Sequence, residues 1–359
     1  MDSFKISALK YRPKSFDDVI GQELITSTLQ NAIDTNQLPQ ALLFCGPRGV
    51  GKTTCARILA KTINKKENSS DENESFSYNI FELDAASNNS VEDIRNINEQ
   101  IRIPPQTGKY KVYIIDEAHM LSLAAFNAFL KTLEEPPNYV IFVLATTEKN
   151  KLIPTILSRC QIFDFKRISS IEIKEFLIKI SIKKKITYEE DALMLIAQKA
   201  DGSLRDALSI FDRMINFTLG KINLSEVSKI LNVLDQNTFL KISDLIKNKN
   251  IPKLLLESDR IIDQGYDPLS LINGLSNHIR MLILSKDSST INLLEVGEKL
   301  QKQYLEQSKE FTLDSLIGML RILKEGESNN KISLNKRLNL ELCLMQLASL
   351  HFNGEKKNL

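Results

Sequence analysis

The chain has 359 residues, of which 42% are hydrophobic and 26% are charged, so we expect two or three folded domains with ordinary cores. Its formal net charge is only +2, which excludes a global basic field for nucleic acid and leaves only local or shared DNA contacts. It has four cysteines without a Cys-x-x-Cys pair, which indicates neither a zinc ribbon nor a disulfide framework. It has no long apolar run, so we expect no membrane partner and a cytoplasmic location.

Strand and helix patterns alternate between about residues 22 and 166. Five short segments are apolar and rich in β-branched or aromatic residues, as buried strands are; they are residues 41–44, 79–84, 111–116, 139–145 and 161–165. Helical stretches lie between them, so the sequence predicts a parallel sheet covered by helices on both faces. The polar segment at 65–77 is predicted to be an exposed, mobile loop.

The first predicted strand leads into a phosphate-binding loop. The pattern G-x-x-x-x-G-K-[ST] is matched by Gly46, Pro47, Arg48, Gly49, Val50, Gly51, Lys52 and Thr53, with Thr54 next in the following helix. Backbone N–H groups of such a loop surround phosphate oxygens, and the helix start adds partial positive charge. Lys52 would reach the β- and γ-phosphates, and the Thr53 hydroxyl would hold Mg²⁺. A chance glycine-rich turn is the alternative, which the order of strand, loop and helix disfavours.

The third predicted strand ends in two carboxylates, Asp116 and Glu117. Beside a phosphate loop, Asp116 would orient Mg²⁺ through its water shell, and Glu117 would polarise the water that attacks the γ-phosphate. The alternative is a strand that ends in two solvated acids. The letters Asp-Glu-Ala-His at 116–119 also spell the signature of one helicase superfamily, which we interpret as coincidence because no second sheet domain follows Lys166.

Three further polar groups have two interpretations each. The fourth predicted strand is followed by two threonines, and Thr147 either senses the γ-phosphate beside the phosphate loop or simply terminates the strand. Arg159 is either a solvated side chain or an arginine finger that completes a neighbouring subunit's site. Arg205 either pairs with Asp206 or Glu189 on the surface or reaches the bound nucleotide.

Helical patterns continue beyond Lys166 without further strand signals. Three hydroxyl residues stand three positions before an acidic residue, as in a capping box; the pairs are Ser169 with Glu172, Thr187 with Glu190, and Ser203 with Asp206. They predict a small all-helical domain that ends near residue 232. From 235 to 352 apolar residues recur at helical spacing, with polar breaks at 285–289 and 326–330, which predicts a helical bundle.

In this order the motifs resemble those of AAA+ clamp-loader ATPases. Lys-Tyr-Arg-Pro at 10–13 and the segment 16–22 are similar to the adenine-side segment of that group. Asp-Ala-Ala-Ser at 84–87 and Leu-Lys-Thr-Leu-Glu-Glu-Pro-Pro at 130–137 narrow the resemblance to the gamma/tau family of bacterial DNA polymerase III. The resemblance covers about 9–232, and Gln-Gly-Tyr-Asp-Pro at 264–268 still fits the collar domain of that family.

The resemblance implies a domain order, a function and partners. The order would be an α/β AAA+ nucleotide-binding domain at 1–168, a small helical lid at 169–232 and an all-α collar at 233–359. The chain would be an ATP- and Mg²⁺-dependent motor subunit that loads the sliding clamp onto primed DNA at the bacterial nucleoid. Its partners would be delta and delta-prime subunits, further copies of itself, the clamp and primer–template DNA. An AAA+ branch-migration helicase and a non-hydrolysing loader scaffold are the alternatives.

The resemblance also carries roles to matching positions. Besides the phosphate loop, these are Asp116 (metal), Glu117 (water), Thr147 (first sensor), Arg159 (finger for a neighbouring subunit) and Arg205 (second sensor). The adenine side would be lined by Tyr11, Arg12, Val19 and Ile20. DNA phosphates would meet the helix start at Asn88, Asn89 and Ser90, for which an ordinary helix cap is the alternative.

Two departures from the family pattern matter. Many relatives carry a four-cysteine zinc module after the first helix, whereas residues 65–77 here contain no cysteine, so we expect no zinc. The long form of the family continues into a segment that contacts the polymerase and the helicase. This chain ends at Leu359, so the resemblance supports only the loader functions.

Overall fold

The computed structural model describes residues 6–64, 79–106, 108–231, 234, 236–294, 298–330 and 332–350. The predicted loop at 65–77 lies outside these residues, so its exposure and the absence of zinc there stay predictions. The chain forms two compact units, Met1–Leu224 and Ser225–Leu359. All four cysteines are free and buried, and no helix in the described ranges is long and apolar enough to cross a membrane.

A five-stranded parallel sheet is the centre of the first unit. Its strands are β1 (Ala41–Cys45), β2 (Ile80–Asp84), β3 (Lys111–Asp116), β4 (Val140–Thr146) and β5 (Gln161–Asp164). Their order across the sheet is β2-β3-β4-β1-β5, and every pair is parallel. The five predicted strands are therefore confirmed, with ends that differ by no more than one residue. The carboxyl ends of β1, β3 and β4 point the same way, so the segments that follow them meet at one edge of the sheet.

Helices cover both faces of this sheet, which confirms the expected fold class. They are α2 (Glu23–Asp34), α3 (Lys52–Asn64), α4 (Val91–Ile101), α5 (Leu123–Glu134) and α6 (Pro154–Leu157), and the short helix α1 (Ser7–Lys10) precedes them in the chain. On one face Leu29 of α2 and Leu59 of α3 pack in an apolar cluster with β1 and β4. On the other face Ile94 of α4 and Phe129 of α5 do the same. Since both faces of the central strands are buried, those strands read as unbroken apolar runs.

The region after β5 contains three helices and two short strands. They are α7 (Ser170–Lys184), β6 (Thr187–Tyr188), α8 (Glu190–Lys199), α9 (Leu204–Phe217) and β7 (Lys221–Ile222). Two of the three predicted N-terminal caps are confirmed. The Ser169 hydroxyl accepts a bond from the Glu172 N–H, and the Ser203 hydroxyl accepts one from the Asp206 N–H.

Two predictions for this region were wrong. We expected no strand after Lys166, but β6 and β7 form a parallel pair. Thr187 lies in that pair and does not cap α8, whose N-cap is Glu189. The reason is long-range pairing, because the N–H of Thr187 donates to Gly220 and that of Glu189 donates to Ile222. Backbone partners more than thirty residues away leave no local pattern.

The second unit is helical, as predicted. Helix α10 (Leu224–Ile230) spans the division between the two units. The other helices are α11 (Gln236–Lys247), α12 (Ile251–Asp263), α13 (Pro268–Leu284), α14 (Glu298–Ser308), α15 (Leu313–Asn330) and α16 (Lys336–Ser349). One apolar cluster joins α11, α12, α13, α15 and α16, with Tyr304 of α14 buried in it. The polar break expected at 285–289 follows the end of α13.

The break predicted at 326–330 was wrong, because these residues continue α15. A Cβ atom on Gly326 would lie 2.4 Å from the Sγ atom of Cys343, so this glycine allows α16 to pack closely. Close approach of two helices is a second use of glycine besides ending a helix, and the sequence pattern does not distinguish the two. Helix α14 was not predicted, since its residues are mostly polar.

Candidate nucleotide-binding site

The loop between β1 and α3 has the shape that its glycines allow. Gly46 and Gly49 have φ angles of +145° and +76°, which side-chain-bearing residues rarely adopt. A Cβ on Gly46 would lie 2.4 Å from the carbonyl oxygen of Phe165, and one on Gly49 would lie 2.0 Å from Ser203 Oγ. The loop is therefore packed against the end of β5 and the start of α9, and it leaves no room for side chains there.

Lys52 is buried in the concave side of this loop. Its ammonium group donates to the carbonyl oxygens of Gly46 and Pro47, each at 2.7 Å, and the residue is 6% exposed. Burial lowers the pKa of Lys52, and the nearby Glu117 and Asp116 carboxylates oppose that shift. The ammonium group thus lies where phosphate oxygens would bind.

The phosphate loop and the end of β3 meet directly. Thr53 Oγ1 donates to Asp116 Oδ2 at 2.7 Å, and the N–H of Glu117 donates to Asp116 Oδ1 at 3.0 Å. A hydroxyl and a carboxylate oxygen side by side are ligands that Mg²⁺ prefers. In the described residues no three His, Cys, Asp or Glu side chains cluster as a metal site. These residues fit Mg²⁺.

Glu117 has a strained backbone, and its carboxylate accepts a hydrogen bond. Its φ and ψ angles are +48° and +44°, in the left-handed region, which costs a non-glycine residue about 1–2 kcal/mol. Thr147 Oγ1 donates to Glu117 Oε2 at 3.0 Å. As predicted, the threonine pair lies beside the phosphate-loop strand, because Thr146 at the end of β4 pairs with Cys45 of β1. The expected sensor hydroxyl therefore contacts the expected water-polarising carboxylate.

The sequence interpretation gave no role to His119 at this edge. The side chain of His119 is 7% exposed, and its Nδ1 atom lies 3.0 Å from Thr146 Oγ1 and 3.5 Å from Glu117 Oε2. Its Nε2 atom lies 3.5 Å from Glu148 Oε1. Thr146 is fully buried. The signal that could have found His119 is its position three residues after Asp116, at the same strand end.

The lid region reaches the phosphate loop through Arg205. The N–H of Arg205 donates to the Gly49 carbonyl oxygen at 3.4 Å, so helix α9 begins directly at the loop. Neither Asp206 nor Glu189, the two expected surface partners, forms an ion pair with Arg205 in the described part of the chain. A nucleotide-sensing role for Arg205 stays a prediction.

The N-terminal segment also lies against the loop. Arg12 Nε donates to Thr54 Oγ1 at 3.1 Å. Burial lowers the pKa of Arg12, and the nearby Arg57 and Arg205 guanidinium groups lower it further. Converging positive charges with partial burial are typical of an anion site.

The apolar residues predicted for the adenine side are near the loop as well. Val19 is buried in the same cluster as Val50, and its Cγ1 atom lies 3.9 Å from the Cβ position on Gly51. Ile20 is half-buried beside it. Tyr11 follows α1, and burial together with the Asp212 carboxylate raises its pKa.

Arg159 is not part of this chain's own site. It lies just before β5, where Gln161 pairs with Leu42, and the strand rise places it at least about 13 Å along the sheet from the phosphate loop. Its guanidinium group forms an ion pair with Glu134 and donates to the Thr155 carbonyl oxygen at 2.9 Å. A role in nucleotide chemistry would therefore require a second subunit.

The DNA-contact candidates precede α4. Ser90 is the N-cap, and its hydroxyl and backbone N–H both bond to Asp93. Asn88 bonds back to Asp84, and the Asn89 carbonyl oxygen accepts from Ser122. The helix-cap alternative is therefore observed, and a DNA contact there stays a prediction.

Three family models match consecutive parts of the chain. "DNA polymerase III, delta subunit" matches 21–169, "DNA polymerase III clamp loader subunit, ATPase lid domain" matches 172–220, and "DNA polymerase III subunits gamma and tau domain III" matches 222–357. The DNA polymerase III subunit gamma of Buchnera aphidicola subsp. Baizongia pistaciae is 34% identical over 362 residues, which cover 97% of this chain and 98% of that relative. The chain belongs to the DNA polymerase III gamma/tau family.

Some relatives in the gamma/tau family are longer than this chain. The DNA polymerase III subunit tau of Bacillus subtilis is 39% identical over 349 residues, which cover 94% of this chain but 62% of that relative. Among solved structures, the Thermotoga maritima RuvB Holliday junction branch migration motor is 25% identical, with a TM-score of 0.50 over 66% of this chain and 79% of that one. The gamma/tau chain thus has the AAA+ fold, followed by a lid and a helical C-terminal region.

Proposed function

We propose that this chain is the ATP-driven motor subunit of a DNA polymerase III clamp loader, which hydrolyses ATP to load a sliding clamp onto primed DNA. The observation that carries the proposal is one continuous set of contacts. Thr53 bonds to Asp116, the next residue is Glu117, and Glu117 bonds to Thr147. A phosphate loop, a metal carboxylate, a water carboxylate and a sensor hydroxyl are the parts that phosphoryl transfer to water requires.

Each of these side chains has a role in the proposed reaction. Lys52 would bind the β- and γ-phosphates in place of the loop carbonyls that it now contacts. Mg²⁺, held by Thr53 and Asp116, would neutralise charge between the phosphates. Glu117 would accept the proton of the attacking water, with Thr147 holding its carboxylate. These positions are intact, which favours a hydrolysing subunit over a scaffold subunit.

We propose that Arg159 completes the site of a neighbouring subunit. Its guanidinium group is held by Glu134 on the surface of this chain, at the end of the sheet opposite its own phosphate loop. An exposed ion pair of this kind contributes about 0–1 kcal/mol, so exchange of Glu134 for a neighbour's γ-phosphate costs little. The partners of the chain would be delta and delta-prime subunits, further copies of the chain and the clamp. The assembly would act in the bacterial cytoplasm, at the nucleoid.

We propose that contact with primer–template DNA at Asn88, Asn89 and Ser90 would exchange part of the cap at the start of α4 for phosphate, because the Ser90 N–H and hydroxyl now bond to Asp93. The carboxylates of Glu92 and Asp93 lie in the first turn of that helix. They would oppose a phosphate there, so we expect these contacts to form only within an assembled ring that supplies positive charge from other subunits.

The branch-migration alternative has less support. The RuvB likeness covers about two thirds of this chain, whereas separate gamma/tau and clamp-loader family models match the lid and the C-terminal region. A loader should not displace DNA strands by itself. Strand displacement by the purified chain would therefore favour the helicase function.

The test is ATP turnover by this chain assembled with delta and delta-prime subunits. We expect turnover to rise strongly when the clamp and primed DNA are added together, and Glu117→Gln to remove it while ATP still binds. ATP turnover that does not change when clamp and primed DNA are added, or that is unchanged in Glu117→Gln, would contradict the proposal. Lys199→Ala, which changes an exposed charge on α8, is the matched control and should behave like the unsubstituted chain.

A further inference from the structure

His119 is almost buried between the two carboxylates at the catalytic edge of the sheet. Its Nδ1 atom faces Glu117 Oε2 at 3.5 Å, and its Nε2 atom faces Glu148 Oε1 at 3.5 Å. Thr146 Oγ1 lies 3.0 Å from Nδ1 and accepts the N–H of Glu148, also at 3.0 Å. The imidazole therefore joins the strand end that holds Glu117 to the strand end that holds the threonines.

The contacts to Glu117 converge on one oxygen. Thr147 Oγ1 and His119 Nδ1 both approach Oε2, at 3.0 and 3.5 Å. Within the described residues no hydrogen bond reaches the other oxygen, Oε1, and about a third of the Glu117 side chain is exposed. Oε2 is thus the oxygen that the protein holds, and Oε1 is the one left to accept a proton from water.

The backbone of Glu117 makes such support necessary. A glutamate in the left-handed region is strained, and strain of this kind persists only where surrounding groups hold the residue in place. Thr147 supplies one such group through its hydrogen bond to Oε2, and the nearly buried ring of His119 places a second polar atom 3.5 Å from the same oxygen.

We propose that His119 is a positioning residue that orients the Glu117 carboxylate through its Nδ1 edge, so that Oε1 faces the attacking water. This inference rests on the proposed ATP hydrolysis, and it adds a residue to which neither the motif pattern nor the family resemblance gave a role. His119 makes no contact with nucleotide in this scheme and acts only through Glu117.

Substitutions that restore one edge of the ring at a time test this inference. In the assembled complex, His119→Ala should lower kcat by about tenfold to a hundredfold, because a misplaced catalytic group loses rate on that scale. The Kd for ATP should stay within twofold. The amide nitrogen of asparagine can occupy the place of Nδ1, so His119→Asn should recover most of kcat. The longer His119→Gln can replace only Nε2 and should not.

A double substitution separates positioning from general packing. If His119 acts through Glu117, His119→Ala should cause no further loss of residual turnover in a Glu117→Gln background. A further loss there, equal rescue by Asn and Gln, or unchanged kcat in His119→Ala would overturn the inference. The melting temperature of each variant, measured beside Lys199→Ala, separates a folding defect from a loss of kcat.

The outcome also separates this inference from the proposed function. Loss of ATP turnover in Glu117→Gln together with full turnover in His119→Ala would contradict only the proposed role of His119. Full ATP turnover in Glu117→Gln would contradict the proposed function itself.

Discussion

Thr53 Oγ1 donates a 2.7 Å hydrogen bond to Asp116 Oδ2 across 63 residues of sequence. Thr53 lies in the first turn of α3, after the loop that follows β1, and Asp116 ends β3, while β4 lies between β1 and β3 in the sheet. Thr147, one residue after β4, donates to Glu117, which is the next residue after Asp116. Metal ligands and water-polarising groups are in this way brought to one place by the strand order.

Asp116→Asn should weaken Mg²⁺-dependent ATP binding by about tenfold or more, since hydrogen bonds and contacts to a charged group are worth about 1.5–3 kcal/mol. ATP binding in the presence of a chelator should change little, because Lys52 and the loop N–H groups remain. Titration with a fluorescent ATP analogue, with and without Mg²⁺, measures both. Asp191→Asn, on the exposed start of α8, is the control. An equal loss with chelator would show that Asp116 supports the loop and not the metal.

Arg159→Ala should bind ATP normally and lose most hydrolysis in the assembled complex, because trans-acting arginines contribute about 10³–10⁵-fold to the rate of such reactions. Glu134→Gln removes the ion pair that holds Arg159 within its own chain and should not lower that rate. Single-turnover hydrolysis in the complex, with and without clamp and primed DNA, measures the effect. Normal turnover of Arg159→Ala would exclude the finger role.

Asp212→Asn should loosen the N-terminal segment and raise the KM for ATP several-fold. Asp212 accepts from the N–H of Ser7 at 2.6 Å and from the Ser7 hydroxyl, and Lys184 donates to the same hydroxyl at 2.7 Å. Arg12, five residues after Ser7, contacts the helix that follows the phosphate loop.

Hydrogen exchange in residues 6–12 measures this prediction and should become faster in Asp212→Asn. The exposed neighbour variant Arg213→Ala should leave both exchange and KM unchanged. Faster exchange without any change in KM would show that α1 docks on the lid without serving the nucleotide.

The second unit should lose stability as the pH falls from about 6.5 to about 4. Burial lowers the pKa of His278 from 6.5 to about 4, and its Nδ1 atom bonds to Tyr304 Oη at 2.9 Å. The unfolded chain takes up a proton in this range and the folded chain does not, so stability rises with pH. At about 1.4 kcal/mol per pKa unit, the full loss is about 3 kcal/mol.

Urea unfolding followed by circular dichroism at pH 7 and pH 5 measures this loss. His278→Gln removes the titrating group, so its unfolding midpoint should depend less on pH than that of the unsubstituted chain. The same pH dependence in both proteins would assign the effect to other groups.

Local sequence was sufficient to predict secondary structure where a residue type has one structural role at its position. The run before Gly46 is apolar at every position and had to be a strand buried on both faces, as β1 is. Ser169 and Ser203 cap helices because a hydroxyl at that spacing satisfies a free N–H group. Local pattern failed where a residue type has several uses, as at Gly326, which packs two helices together where a break was expected.

The amino-acid sequence by itself determined the five strands, the phosphate loop and the chemical groups available at its edge, since these depend on spacing along the chain. Only the tertiary structure decided that Thr147 and His119 converge on one oxygen of Glu117, and that Arg159 lies at the far end of the sheet. Strand order and register determine those distances. Both arise from side-chain packing between segments far apart in the sequence, which no local pattern records.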